Sequence, residues 1–440
     1  MQPASSWLRR CMRPACSSPR RGARPHLVLI LTVVAGACRP GEAPRDVPSP
    51  GAVGSMTMPQ VRVGLEVAAD SVTVGSTTGW TLERANGDDL LSARADEMWT
   101  VRADAGREVV AYGAGRSIGG AGAIRVTPAA SGHVRVGDRT YRGTVLLIAG
   151  GGGVTAINVL DLETYLLGVV PREIGARPET EIEAVKAQAV AARTYAIANL
   201  GGRAGLGFDY HAGTQDQVYG GILDEEAVAT RAVRDTRGQI ATFDGVPILA
   251  YYSSTCGGRT AAIEDSWPGR SPVRYLKSVS DRIPGTDSYY CEPSNRFRWT
   301  VEWNRAQLLS TLGETLRAYT GSATLAPPAR IRSVAMDTNA SGRATVRVAT
   351  GATDFTLRMD SIRWILRTPA GAALNSSALD SIRTTIGNDG DVEELFVHGG
   401  GWGHAVGMCQ FGAIGRARAG QKLEQILRTY YPGTELTRVY

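Results

Sequence analysis

The chain has 440 residues, 43% of them hydrophobic and 20% charged, more than one ordinary compact domain holds, so two or more packed units are expected. Lys and Arg number 48 against 42 Asp and Glu, a formal charge of +6. Much of that excess sits in Arg9, Arg10, Arg13, Arg20, Arg21 and Arg24, so the remaining body is close to neutral and lacks the footprint of a nucleic-acid binder.

Those arginines precede a short apolar run over 26–38, and a basic start, an apolar stretch and small residues at its end make a secretory signal. The run is too short to remain as a membrane-spanning helix. It closes on Ala35-Gly-Ala-Cys38, which resembles a bacterial lipobox, so Cys38 is the expected lipid anchor to the membrane; ordinary cleavage after Ala37 is the alternative. Residues 1–38 then form the signal, and the Pro- and Gly-rich stretch 39–58 a flexible tether.

From Gln60 onward apolar and polar residues alternate, as in 61–67, 71–75, 133–136 and 144–148, which predicts a β-rich N-terminal region over 59–150. Gly150 to Gly153 read as a hairpin turn, because a phosphate-cradling loop would carry a P-loop lysine or Rossmann spacing. A helix is predicted from Thr180, with Thr180 and Glu183 as a capping box and Ile182, Val185, Ala189, Ala192 and Ala196 on its apolar face. That face is mostly alanine, which lets other backbone approach closely. A second helix is predicted over 224–234, then strands at 239–243 and 247–252. The segment 328–366 is again β-patterned and reads as part of a β-rich insertion, about 328–395, within a mixed core over 151–440. A last helix covers 423–431, before Pro432-Gly433. The expected fold class is α+β.

Three blocks carry the candidate chemistry. The first is Tyr165-Leu-Leu-Gly-Val-Val-Pro-Arg-Glu173, followed by the alanine-rich stretch containing Arg193. The second joins Asp216-Gln-Val-Tyr219 to Tyr251-Tyr-Ser-Ser-Thr-Cys-Gly-Gly258 and Tyr275-Leu-Lys-Ser-Val279. The third is Gly401-Trp-Gly-His-Ala-Val-Gly-Met-Cys-Gln-Phe-Gly-Ala413, ending in Tyr430-Tyr-Pro-Gly-Thr434. In order and spacing these blocks, over roughly 155–440, resemble the SpoIID/LytB family of bacterial cell-envelope proteins. The resemblance implies a lytic transglycosylase acting on peptidoglycan strands stripped of stem peptides, or, as in LytB-like relatives, a modifier that stimulates a peptidoglycan amidase. An envelope scaffold held by the β-rich region is a third reading.

Glu173 matches the family's catalytic position. A lytic transglycosylase needs one acid to protonate the glycosidic oxygen, and the same carboxylate then takes the C6 hydroxyl proton as a 1,6-anhydro ring closes. One carboxyl suffices, unlike the pair that most glycosidases use. The sequence places Glu173 after a strand and a proline, on a loop beside Val170, Pro171 and Ile174, where enclosure would raise its pKa; the bland reading is a solvated glutamate.

Arg193 reads either as a donor to sugar hydroxyls or to Glu173, or as an ordinary helix-surface arginine. Gln217 and Tyr219 offer an amide and a phenol for sugar recognition, or a satisfied strand end. In the glycine-rich loop Trp402 suits packing against a sugar ring, and His404 and Gln410 suit a polar contact; a structural histidine is the alternative for His404. The loop departs from the family pattern at Ala405, where Gly is frequent, and at Cys409, where Ser is common. Cys256 reads as packing or as a disulfide with Cys291, and a thiol nucleophile using His404 is disfavoured in an oxidising compartment. Some relatives bind zinc just before the Gln-Val-Tyr element, but His211 and Asp216 stand here where they have cysteines, and the chain has no CxxC pair. No metal and no cofactor are therefore expected.

Overall fold

The computed structural model describes residues 54–440 apart from 105–107, 268, 323, 340–342 and 359. The signal segment, the Cys38 anchor and most of the tether lie outside the described residues. Among the described residues no helix is long and apolar enough to cross a membrane.

The alternation of the N-terminal region resolves into two antiparallel sheets that share one apolar interior. Val61 and Val63, Val72 and Val74, and Val145 and Leu147 are buried at every second position of their strands, the period of two that a sheet with one buried face imposes. One sheet orders Gln60–Ala69, Gly153–Asp161, Thr144–Gly150, Ala123–Pro128, Trp80–Arg84 and Asp89–Ala93 as neighbours. The other runs Arg139–Tyr141, Val134–Val136, Val72–Ser76, Trp99–Asp104, Glu108–Gly113 and Arg116–Ala121. The glycine run is the hairpin turn expected: Gly150 pairs with Gly153, and Gly151 and Gly152 take φ of 63° and 88°, which glycine adopts without strain.

The strand Gly153–Asp161 runs directly into helix α1 (Leu162–Ile174), and Asp161 caps it by accepting the Thr164 N–H at 3.0 Å. The loop expected around Glu173 is thus the last turn of a helix. Pro171 lies inside that turn with no N–H to give, and the helix ends at Gly175, whose φ is 77°. Helix α2 (Ile182–Ala198) follows a 3-10 turn over Glu179–Glu181. Its expected capping box does not form. Glu181 is the cap residue and makes no side-chain cap bond, while Glu183 instead accepts the Leu423 N–H at 3.0 Å.

Helix α2 is buried on most of its circumference rather than along one stripe, with Ala184, Ala187, Ala189, Ala191 and Ala192 all inaccessible. Its small side chains allow packing on several sides by α1, α3 (Ala227–Asp235) and the strand Gln239–Phe243. Farther along the chain, beyond α4 (Arg305–Thr320), α5 (Gln410–Arg418) and α6 (Leu423–Tyr430) pack on it as well. The sandwich and this helical layer are one core, continuous from Val61 to Val439. Backbone ties them too: Val63 of the first strand pairs in parallel with Tyr210, which follows α2.

A second core contains Trp303, Leu308, Leu312, Val346, Leu357 and Val397. It joins α4 to the sheet Arg298–Asn304, Val392–Gly400, Leu379–Ile386 and to the three strands Ser333–Thr338, Ala344–Ala349 and Asp354–Arg358. Of the β pattern over 328–366, three strands form while Ser361–Ile365 is a short helix, and the sheet they join already begins at Arg298. The strand Val392–Gly400 returns the chain to the first core through the 401–409 loop. The fold is α+β with a β-rich N-terminal region.

Candidate active site

Glu173, the penultimate residue of α1, is half-buried, and its Oε1 accepts the Val218 N–H at 2.8 Å. The Tyr252 hydroxyl and the Gln410 amide approach the same carboxyl and, like the Val218 N–H, favour its ionised form. Burial pushes this carboxyl up to about 7, against the pull of those donors and of Arg172. A glutamate with that affinity still holds its proton in an appreciable fraction of molecules near neutral pH.

The close approach of the 217–221 turn to α1 depends on Gly168. A Cβ there would lie 2.7 Å from the Tyr219 ring and 3.2 Å from the Gly221 nitrogen, and Gly220 donates its N–H to the Gly168 carbonyl at 3.2 Å. That docking brings Val218 to Glu173. Gln217 is 1% exposed and stands one layer behind: it accepts from the Tyr165 hydroxyl at 3.3 Å and donates to the Ala192 carbonyl at 3.2 Å and the Tyr252 hydroxyl at 2.9 Å. With its oxygen accepting from Gln217, Tyr252 has its own proton to give to Glu173. Gln410 reaches the carboxyl from the opposite segment and also donates to Gln188 Oε1 at 3.3 Å. All three sequence blocks thus meet at Glu173. Sequence reasoning missed Tyr252 and Gln188, although Tyr252 lies inside a quoted motif and Gln188 is a polar residue on an otherwise alanine-lined helix.

Two expected binding residues face elsewhere. Arg193 is fully buried, and its guanidinium forms a two-pronged pair with Glu163, both bonds 2.8 Å, with further bonds to the Val233 and Gln239 carbonyls at 3.2 Å. It reaches neither Glu173 nor solvent, because these bonds to α1, α3 and the Gln239–Phe243 strand occupy its fork. Tyr219 is 5% exposed; its hydroxyl donates to Asn158 Oδ1 at 2.9 Å and its ring packs 5.1 Å from Tyr165, so no face remains for a pyranose.

Trp402 is half-buried, pairs through its backbone with Thr255, and has the Arg296 guanidinium 4.2 Å from its ring centre. His404 accepts the Val406 N–H on Nδ1 at 3.0 Å, hydrogen-bonds the Tyr252 backbone, and packs 4.9 Å from Trp267. Burial lowers its pKa to about 4, so the ring is neutral at physiological pH and braces the loop against the strand that carries Tyr252. With those contacts made, the Cys256–His404 nucleophile pair is not built. Ala405, where the family often has Gly, holds φ at 61°, a left-handed conformation that disfavours a side chain by ~1 kcal/mol.

Of the two readings of Cys256, packing or a disulfide with Cys291, the structure holds packing: both are buried free thiols with Sγ atoms 3.7 Å apart, and Cys409 is a third free thiol beside them. At the position where some relatives hold zinc, Asp216 is gripped by Arg203 through bonds of 2.7 and 3.2 Å and accepts the His211 N–H at 2.8 Å. A cavity of about 380 Å³ lined by Leu312, Leu316, Pro327 and Phe355 belongs to the second core and touches none of the candidate residues.

Comparison with known proteins places this geometry among relatives. The family model described as Stage II sporulation protein (SpoIID) matches residues 150–243, which hold α1, α2 and the 217–218 turn. A model described as Domain of unknown function (DUF8618) matches residues 277–407, which contain the second core. An uncharacterized protein of Brachyspira hyodysenteriae is 32% identical over 67% of this chain and 72% of its own. The amidase enhancer of Bacillus subtilis is 30% identical, over 62% of this chain but only 40% of that protein. Stage II sporulation protein D of Bacillus subtilis is 30% identical over 64% of this chain and 76% of its own. A chain that matches the SpoIID model across the strand and helices carrying Glu173, and spans three quarters of a stage II sporulation protein D, belongs to the SpoIID/LytB family.

Proposed function

We propose that this protein is a cell-envelope lytic transglycosylase that cleaves peptidoglycan glycan strands, preferentially those without stem peptides, and leaves 1,6-anhydro ends. The observation that carries the reading is the placement of Glu173: one half-buried carboxyl on which the three sequence blocks converge, accepting the Val218 N–H at 2.8 Å and pushed by burial up to about 7. Such a group gives its proton to the glycosidic oxygen as the C1–O bond breaks, and the leaving sugar departs as an alcohol. The carboxylate so formed then removes the proton from the C6 hydroxyl while O6 bonds to C1, and the acid is regenerated without water. Val218, Tyr252 and Gln410 stabilise the transient carboxylate, and half-buried Trp402 borders the strand. Cys38 acylation would tether the enzyme to a membrane through the 39–58 segment.

A second reading rests on the similarity to the amidase enhancer of Bacillus subtilis. In that case the same site holds glycan without cutting it and a peptidoglycan amidase is the partner. Product analysis by mass on peptide-denuded and intact strands separates the two. The enzyme yields anhydro ends from denuded strands, and Glu173→Gln yields none while still binding. An enhancer yields none as wild type, raises amidase turnover, and keeps doing so as Glu173→Gln.

A further inference from the structure

We infer that Cys256, Cys291, Cys409 and Asp281 form a binding site for one tetrahedrally coordinated divalent transition-metal ion, zinc in particular, apart from the position at which some relatives hold it. One ligand atom from each of the four lies within 4.8 Å of all the others, and each residue is at most 2% exposed. Zn–S bonds of about 2.3 Å in a tetrahedron set two sulfurs about 3.8 Å apart. Cys256 Sγ and Cys291 Sγ are separated by 3.7 Å, and Cys256 Sγ lies 4.0 Å from Asp281 Oδ2. A disulfide would draw two sulfurs to about 2.05 Å and leave the third thiol and a buried carboxylate oxygen facing it without a strong partner.

The surroundings are those of ligands held in place. Asp281 Oδ1 accepts from the Tyr430 hydroxyl at 2.7 Å and from Arg416 at 3.1 Å, which turns Oδ2 toward the sulfurs. Cys409 is the N-cap of α5, and its sulfur accepts two backbone N–H groups, from Cys256 at 3.2 Å and Gly412 at 3.3 Å. A helix N-terminus and two such donors favour a thiolate. Gly412 leaves the room this needs, since a Cβ there would collide with the Tyr430 hydroxyl and with Asp281 Oδ2. A divalent ion together with the Arg416 guanidinium offsets three of the four negative charges that three thiolates and a carboxylate bring into the core.

The ion's role follows from what its ligands adjoin. Ser253 pairs with Cys409 and Tyr252 with Met408, so the metal fastens from behind the two segments that deliver Tyr252 and Gln410 to Glu173. The site stands whether or not Glu173 cleaves glycan. Full chain purified under reducing conditions without chelator, analysed for metals, should carry about one zinc. His211→Ala should keep it, and Cys291→Ala should lose it by at least about tenfold. Cobalt exchanged into the wild type should show thiolate-to-metal charge transfer and the intense visible bands of tetrahedral cobalt, a readout that needs no variant to fold. Wild type that takes up neither ion when supplied with it, zinc that leaves with His211→Ala, or a native Cys256–Cys291 disulfide in the peptide map would each overturn the site.

Discussion

Replacing Glu173 by Gln should stabilise the protein in a pH-dependent way, independently of any effect on activity. The folded protein pushes this carboxyl from 4.5 up to about 7, mainly by burial. A raised pKa means that the folded state favours the protonated form. The wild type therefore has its full stability below about pH 4.5 and loses part of it as pH rises through about 7, where the carboxyl must ionise in a poorly solvated place. At 1.36 kcal/mol per pH decade the whole displacement corresponds to roughly 3 kcal/mol, and solvent access to the half-buried side chain reduces this to about 1–2 kcal/mol. Glutamine keeps the Val218 contact and never ionises. Urea unfolding of both proteins should give equal midpoints near pH 4 and a growing advantage for Glu173→Gln that levels off above about pH 8. A difference that stays flat across this range would show that the carboxyl is not desolvated and would remove the physical basis for its role as an acid.

Three other expectations test neighbouring parts of the argument. Tyr252→Phe removes a donor that favours the ionised carboxyl, so the alkaline limb of the activity profile should move to higher pH while the rate falls about tenfold; an unmoved limb would take Tyr252 out of the site. Arg193→Met leaves Glu163 buried without its partner and should lower unfolding stability by about 3–5 kcal/mol, with the pH profile of any surviving activity unchanged, as a residue remote from Glu173 requires. For the anchor, blocking lipoprotein signal peptidase with globomycin in a native host should leave the precursor unprocessed, whereas normal processing to a free N-terminus would dismiss Cys38 as the acylated residue.

Local chemistry made much of the chain legible and stopped where the fold took over. Period-two alternation marked the sandwich strands because one face of each sheet is buried, and the glycine hairpin followed from the positive φ its turn needs. The helix α1 was not legible: Val169, Val170 and Pro171 are poor helix formers, and tertiary burial of Leu166, Val169 and Val170 overrides their preferences. Arg193 misled for a related reason. A charged residue on a helix is read as exposed by default, and its partner Glu163 stands 30 positions earlier with nothing local to announce the pair.

The cysteines show the same limit from the other side. Spacing rules detect metal clusters whose ligands come in close pairs, and Cys256, Cys291 and Cys409 come singly, so only the packing of α5 against the 256 and 281 segments brings them together. The identity of Glu173 is likewise the smaller part of its chemistry. A glutamate at this position becomes an acid near neutral pH only because Gly168 admits the 217–221 turn, alanines let α2 press against α1, and Tyr252 and Gln410 arrive on segments that close over it. Two relatives sharing the residue can therefore differ in chemistry if the enclosure differs, which makes the proton affinity of Glu173, rather than its presence, the property that divides an enzyme from a glycan-binding enhancer.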